Sequence, residues 1–321
     1  MTLHLTPFSR RIQECPQDGA CFTVTTFNVQ NLFSPGADET ITRVPPARPE
    51  ETAVRVQKLT QAIVTELSLP HILALQEVGD EAVLRQLAEQ VNRAAGTAYT
   101  AAAPLTSDRR GTRLAFMWDA NRVQAKAVWQ LTGEEVAAAF GKQSDSPGRE
   151  PLIGEFVVQD QLICLVNNHL KSNYVAAEDD ALADAIHQKS HAQRLAQARV
   201  NRRFVDDWLS RHEDGWLLVL GDFNDGDTQP GSPQALLLDG QPPLTNLLLD
   251  KGDGVRPYTF QRLGQYQLLD HILASPAAAV ACTAVNALHF NADFDPALQT
   301  NPETVLRASD HDPVEACFCL A

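Results

Sequence analysis

Residues 216–225 read Trp216-Leu217-Leu218-Val219-Leu220-Gly221-Asp222-Phe223-Asn224-Asp225: an apolar run, a glycine, then a carboxylate and an amide two positions apart. An unbroken apolar run closed by a turn residue is the pattern of a strand buried on both faces. Alternation beyond the run places Asp222 and Asn224 on one side and Phe223 on the other. The same design recurs along the chain, in Phe27-Asn28-Val29-Gln30-Asn31, Leu75-Gln76-Glu77-Val78 and Asn167-Asn168-His169-Leu170-Lys171-Ser172. It recurs again in Leu269-Asp270-His271 and Ser309-Asp310-His311-Asp312-Pro313. Each polar island ends or borders an apolar run, so a sheet would deliver these side chains to one edge.

Helical periods lie between the strands. Val56, Leu59, Ile63 and Leu67 form an amphipathic stripe over 50–69, stopped by Pro70. Asp80 is placed to cap a second helix whose stripe is Val83, Leu84, Leu87 and Val91. A long helix is expected over about 187–211, with Leu195, Ala198, Val205 and Leu209 inward. Strands are expected at 21–28, 71–75, 113–118, 152–158, 161–167, 216–220, 267–274 and 314–320. This alternation is that of an α/β protein. Three long polar or Gly/Pro-rich loops, 132–150, 225–243 and 290–309, are long enough to serve function. No linker or repeat interrupts the 321 residues, so the expectation is one domain over 1–321 with its core over about 21–320.

Composition narrows the partners. A formal charge of −14, from 26 basic and 40 acidic side chains, opposes sequence-blind binding of polyanions. Basic groups confined to a cleft would still admit a nuclease. No run approaches the roughly 18 apolar residues of a membrane span, and 1–18 lack the apolar stretch of a signal peptide. The resulting expectation is a cytoplasmic protein without stable membrane association. The six cysteines form no CxxC pair and no zinc spacing. Cys164, Cys317 and Cys319 lie in apolar runs and read as buried free thiols; only Cys15 and Cys21 look placed for a short disulfide. His187 and His191 lie one helical turn apart but lack the Glu of a metalloprotease helix.

The islands suit phosphoester hydrolysis, which needs a divalent ion, an activated water and donors around the phosphoryl oxygens. Magnesium favours few carboxylates and several waters, so Glu77 reads as a first metal ligand. Asp222 and Asn224 can polarise and orient a water. His311 needs a carboxylate to fix its tautomer, and Asp270 is the best candidate.

In their order, FNVQNL, LQEV, NNHLKS, GDFND, LDHILAS and SDHDPV resemble the endonuclease/exonuclease/phosphatase superfamily, over about Thr23 to Pro313. The resemblance implies a four-layer α/β sandwich: two mixed sheets packed together with helices outside. It implies a Mg²⁺ site, with Mn²⁺ as a substitute, at Asn28, Glu77 and Asp310. Catalytic roles pass to His169, Asp222, Asn224, Asp270 and His311. Asn167, Lys171 and Arg110 (or Arg109) would meet the substrate phosphate. Arg194 and Gln197 match a helical pattern of bacterial relatives and are expected to tie the helix to the cleft floor.

Departures bear on substrate. Gln30 stands where repair endonucleases often carry an Asp, and Phe116-Met117-Trp118 offers no Tyr hydroxyl. The expected substrate is a phosphodiester, with nucleic acid in the lead. The rivals are a phosphatase or phosphodiesterase for small-molecule or lipid headgroup esters, and an inactive binding module with the same fold. No protein partner is evident.

Overall fold

The computed structural model describes residues 15–16, 20–37, 47–105, 108, 110–131, 134, 136, 149–174, 180–252 and 257–320. Most of the 132–150 loop, and Arg109, lie outside these residues. Two six-stranded mixed sheets form the centre. The first has the order β13 (Cys282–Ala287), β14 (Val314–Cys319), β1 (Cys21–Leu32), β2 (Ile72–Val78), β4 (Arg113–Asp119), β3 (Tyr99–Ala102). The second runs β5 (Gln124–Gln130), β6 (Leu152–Val158), β7 (Gln161–His169), β8 (Trp216–Asp222), β12 (Asp270–Ala274), β9 (Thr245–Asn246). Parallel pairing occurs between β1 and β2 and between β7 and β8; the other ladders are antiparallel.

Two-residue alternation builds the layers. Phe22, Val24, Ile72 and Phe116 from the first sheet meet Phe156, Leu165, Leu220 and Ile272 from the second, in one core between the sheets. The opposite face of the first sheet carries Phe27, Leu73 and Leu75. Against it pack α1 (Pro49–Gln61), extended by a π-helical turn at Ala62–Glu66, and α2 (Glu81–Ala95). The expected stripes of both helices are buried there. The Asp80 side chain accepts from the Val83 amide at 2.9 Å, closing the start of α2, and Gly96 ends it in the left-handed conformation. Cys164, Val166, Leu217 and Val219 face α3 (Asp180–Arg211) on the far side of the second sheet. The fold is the four-layer α/β sandwich.

Several short elements escape period reading: β3, β5, β9, β13, the hairpin β10 (Phe260–Arg262) and β11 (Gln265–Gln267), and the short helix α4 (Pro233–Leu238) inside the 225–243 loop. They are too brief, or in β5 too exposed, to show an apolar signature.

The cysteine expectation is corrected. Cys317 and Cys319 are not free: disulfides join Cys15 to Cys317 and Cys21 to Cys319, while Cys164 and Cys282 remain free and buried. Cys15 and Cys21 pair with the last strand because β1 and β14 run antiparallel, with Cys21 directly opposite Cys319. Free thiols would have agreed with the cytoplasmic expectation drawn from residues 1–18, whereas disulfides persist mainly in oxidising surroundings; the two bonds count against it. Among the described residues no helix is long and apolar enough to cross a membrane.

Candidate active site

The face that is apolar between the sheets turns polar at the ends of β1, β7 and β8 and at the start of β12. Along β7 the inward positions Ile163 and Leu165 are followed by Asn167 and His169; along β8, Leu218 and Leu220 are followed by Asp222. His169, Asp222 and Asp270 are register partners on three adjacent strands, so one row of the sheet presents all three. Across the gap, Asn28 of β1 donates from Nδ2 to Asp222 Oδ2 at 3.0 Å. Gly221 lets β7 and β8 come this close: a Cβ there would lie 2.0 Å from the Asn168 carbonyl oxygen, and its φ is +131.

Glu77 breaks the alternation. Leu73 and Leu75 face the helices, and Glu77 would follow them, but its φ of +63 turns the chain and Val78 takes the helix side instead. Its carboxylate accepts from the Asn31 amide at 2.9 Å and lies 3.7 Å from His169 Nε2. His169 Nε2 is in turn 3.4 Å from Asp222 Oδ2, which is 3.9 Å from His311 Nε2. The Nδ1 of His311 is 2.7 Å from Asp270 Oδ2. One chain of contacts therefore runs Glu77–His169–Asp222–His311–Asp270, buried from His169 onward.

Burial and charge divide the two histidines. Burial, reinforced by Arg149, His311, Arg110 and Lys171, holds His169 well below the usual imidazole range, so it is neutral. Burial also opposes charge on His311, but Asp270 and Asp222 outweigh it and lift His311 well above that range. Burial raises the Asp222 carboxyl, against the pull of His311. A carboxylate moved towards neutral pH beside a fixed imidazolium is suited to accept a proton from water.

Other expected residues take more specific positions. Asn224 donates from Nδ2 to the Leu170 carbonyl, and its amide donates to Asp222 Oδ1 at 2.8 Å. It ties the ends of β7 and β8 together and fixes the Asp222 rotamer. Asp310 follows Ser309, whose hydroxyl donates to the Asn28 carbonyl at 2.6 Å. Arg110 donates from Nη2 to Asn31 Oδ1, and Lys171 is half-buried beside Arg149. Arg194 pairs with Asp225 at 3.0 Å, and Gln197 accepts the Lys171 amide. The expected cleft-floor tie is formed by these two contacts. The expectation for Asn167 is corrected. Both of its Nδ2 hydrogens go to the Leu75 and Ala115 carbonyls, and its Oδ1 accepts from Gln76, which leaves it no donor for a phosphate. It is a tether between the sheets.

Sequence reading missed several supporting residues. Thr259 Oγ1 accepts from the amides of Leu269 and Asp270, and its carbonyl accepts from the Asp312 amide. Asp312 itself receives the amides of Phe290, Asn291 and Ala292, so it anchors the last loop. Arg149 donates to Asp108 at 2.6 Å and to the Leu170 carbonyl. Phe260 packs on the His311 ring at 4.8 Å, and Arg262, two residues on, stacks over Tyr174 at 3.8 Å. A cavity of about 500 Å³ opens beside Asp310, between this hairpin and residues 292–296. Of these only Asp312 stands in an island; Thr259, Arg149, Phe260 and Arg262 are revealed by their contacts alone.

His271 points to the helix side of β12 and is held neutral. Burial lowers it to about 4, with its ring nitrogens among Gln234, Asn246 and the Asp225 carbonyl. In the unfolded chain it takes up a proton near 6.5. Its contribution is therefore full above pH 6.5 and is lost as pH falls towards 4. We expect the fully developed loss to be roughly 3 kcal/mol. Chemical denaturation across pH 7 to 4 checks this: His271→Gln should flatten the decline relative to wild type, and parallel curves would refute it.

Asn28 bonds Asp222, Glu77 reaches it through His169, and Asp310 adds a carboxylate beside Ser309, so the oxygen donors here come without thiolates, the chemistry of a hard divalent cation. Ligand atoms of Asp222, Asp270 and His311 also lie within 4.8 Å of one another. These residues fit such an ion.

A sequence model of the Endonuclease/Exonuclease/phosphatase family matches residues 23–286. The chain belongs to this family. Truncated TDP2 of Caenorhabditis elegans is similar in structure, with a TM-score of 0.60 at 15% identity, covering 94% of this chain and 99% of that one. The human Nocturnin catalytic domain with bound sulfate scores 0.57 at 18% identity, covering 94% and 95%. D. rerio TDP2 in complex with a single-strand DNA product scores 0.55 at 15% identity, covering 94% and 100%. At these identities the likeness is one of fold. No curated protein sequence matches the chain.

Proposed function

We propose that this protein is a Mg²⁺-dependent phosphodiesterase, with Mn²⁺ as a substitute, that cleaves nucleic-acid phosphodiesters by one in-line attack of water. The observation that carries the reading is the buried chain Asp222–His311–Asp270, with neutral His169 on the other side of Asp222. Glu77, Asp310 and Asn28 would hold the ion, which supplies compensation for charge on the phosphoryl and leaving oxygens. Asp222 takes the proton of the attacking water as the new P–O bond forms and the ester P–O bond breaks. Asn28 and Asn224 hold its two oxygens in place. The His311 imidazolium, fixed by Asp270, offsets negative charge as it grows. His169 offers a donor without adding charge, while Lys171, Arg110 and Arg149 make a local basic rim on an acidic protein.

Nucleic acid is supported by that rim and by the DNA product bound to the D. rerio relative. The net charge of −14 supports a second reading, a small or lipid phosphoester. A substrate panel decides: single- and double-stranded DNA, RNA, bis-p-nitrophenyl phosphate and sphingomyelin vesicles, each with Mg²⁺, Mn²⁺ or EDTA. The proposal expects EDTA-sensitive cleavage of nucleic acid that weakens steeply with salt. Salt-insensitive turnover of small esters alone would replace the substrate, and inactivity throughout would return the binding-module reading.

A further inference from the structure

The last residues of β1 do not behave as a strand. Gln30 and Asn31 both have φ of +49, two consecutive left-handed residues without glycine. Each such residue costs of order 1–2 kcal/mol, so a pair persists only where its surroundings hold it. The turn directs two amides at two side chains of the candidate metal site. The Gln30 amide donates to Asn28 Oδ1 at 2.9 Å, and the Asn31 amide donates to Glu77 Oε2 at 2.9 Å. Its two carbonyls converge on one cation: Arg55 of α1 donates from Nη2 to the Val29 oxygen at 2.6 Å and to the Gln30 oxygen at 2.9 Å. The remaining Arg55 Nη1 is buried with no hydrogen-bond partner. A helix surface would not ordinarily bury such a group: burial lowers the guanidinium to about 10, against the pull of Asp310 and Glu77, and leaves it charged at neutral pH.

We infer that Arg55 is a positioning residue for the metal site: it clamps the Gln30–Asn31 turn so that the turn's amides orient Asn28 and Glu77. This rests on the metal-dependent reading above. Outer contacts that orient metal ligands typically govern affinity by tenfold or more when removed. The sign of the effect separates clamping from simple electrostatics. Arg55 lies near both carboxylates, so deleting its charge would by Coulomb attraction alone tighten a divalent ion. Loss of the clamp does the opposite.

The test is Mn²⁺ binding to the full chain without substrate, followed by electron paramagnetic resonance, beside a thermal melt of each variant. Arg55→Met should weaken Mn²⁺ about tenfold. Arg55→Lys, which keeps a charge able to reach both carbonyls, should stay near wild type. Gln30→Val attacks the turn without touching Arg55, because a β-branched residue resists positive φ. It should also weaken Mn²⁺, and it decides the matter if Arg55→Met does not fold. Unchanged or tighter Mn²⁺ binding in Arg55→Met, or unchanged binding in Gln30→Val, would overturn the inference alone. A wild-type protein that binds no Mn²⁺ would overturn the metal-dependent reading and the inference with it.

Discussion

Asp222→Asn should lower kcat/KM by about a thousandfold while leaving the protein folded and at least as stable. The kinetic half follows from position. Asp222 is the group that His169, His311 and Asn28 all approach, at 3.4, 3.9 and 3.0 Å. Removing a general base of this kind costs about 10² to 10⁴ in rate. The stability half follows from its raised ionisation. A carboxyl whose folded value lies above its unfolded value retains a proton that the unfolded chain releases. Its contribution is present at low pH and is lost as pH rises through the folded value. Asparagine removes that burden and keeps the shape, so the melting temperature at pH 8 should hold or rise as activity vanishes. Paired kinetics and thermal melts on Asp222→Asn, Glu77→Gln and His311→Gln provide the check. Near-normal turnover in all three would end the mechanism. A fall in activity matched by collapse of the melting temperature would recast these residues as structural.

The second large effect concerns stability far from the chemistry. Cys15–Cys317 and Cys21–Cys319 close loops of 302 and 298 residues. Chain-entropy bookkeeping assigns about 6 kcal/mol to one such closure. The second bond adds little, since it joins ends already held together. Removing either disulfide alone should therefore cost a small part of this, and removing both should cost nearly all of it, or about 10 °C in melting temperature. Turnover at 25 °C should be unaffected, because Cys21 and Asn28 sit seven residues apart on β1, about 23 Å along an extended strand. Melts of Cys15→Ser, Cys21→Ser and the double variant, with and without reductant, test the pattern. Identical melts in oxidised and reduced protein would mean that the bonds do not form.

The legible parts of this protein are those where one strand or helix carries its own signal. The stripes of α1 and α2, the buried run of β8 and the Asp80 cap follow from periodicity and local hydrogen bonding. The candidate site was legible because each essential side chain stands at the end of such a run, next to residues whose burial can be inferred. Arg149, Thr259 and Phe260 were not, because they act from loops or a three-residue strand with no period to read.

What the sequence determined by itself is therefore the set of elements and the side chains delivered to their ends, since apolar spacing and turn residues are local. The tertiary structure alone decided pairing. It put Cys21 opposite Cys319, spent Asn167 on the gap between the sheets, turned Glu77 inward through a positive φ, and aligned His169, Asp222 and Asp270 in one row. Each of these depends on which strands become neighbours and in what register. That choice comes from packing two sheets against one another, over contacts up to about 300 residues apart in the chain.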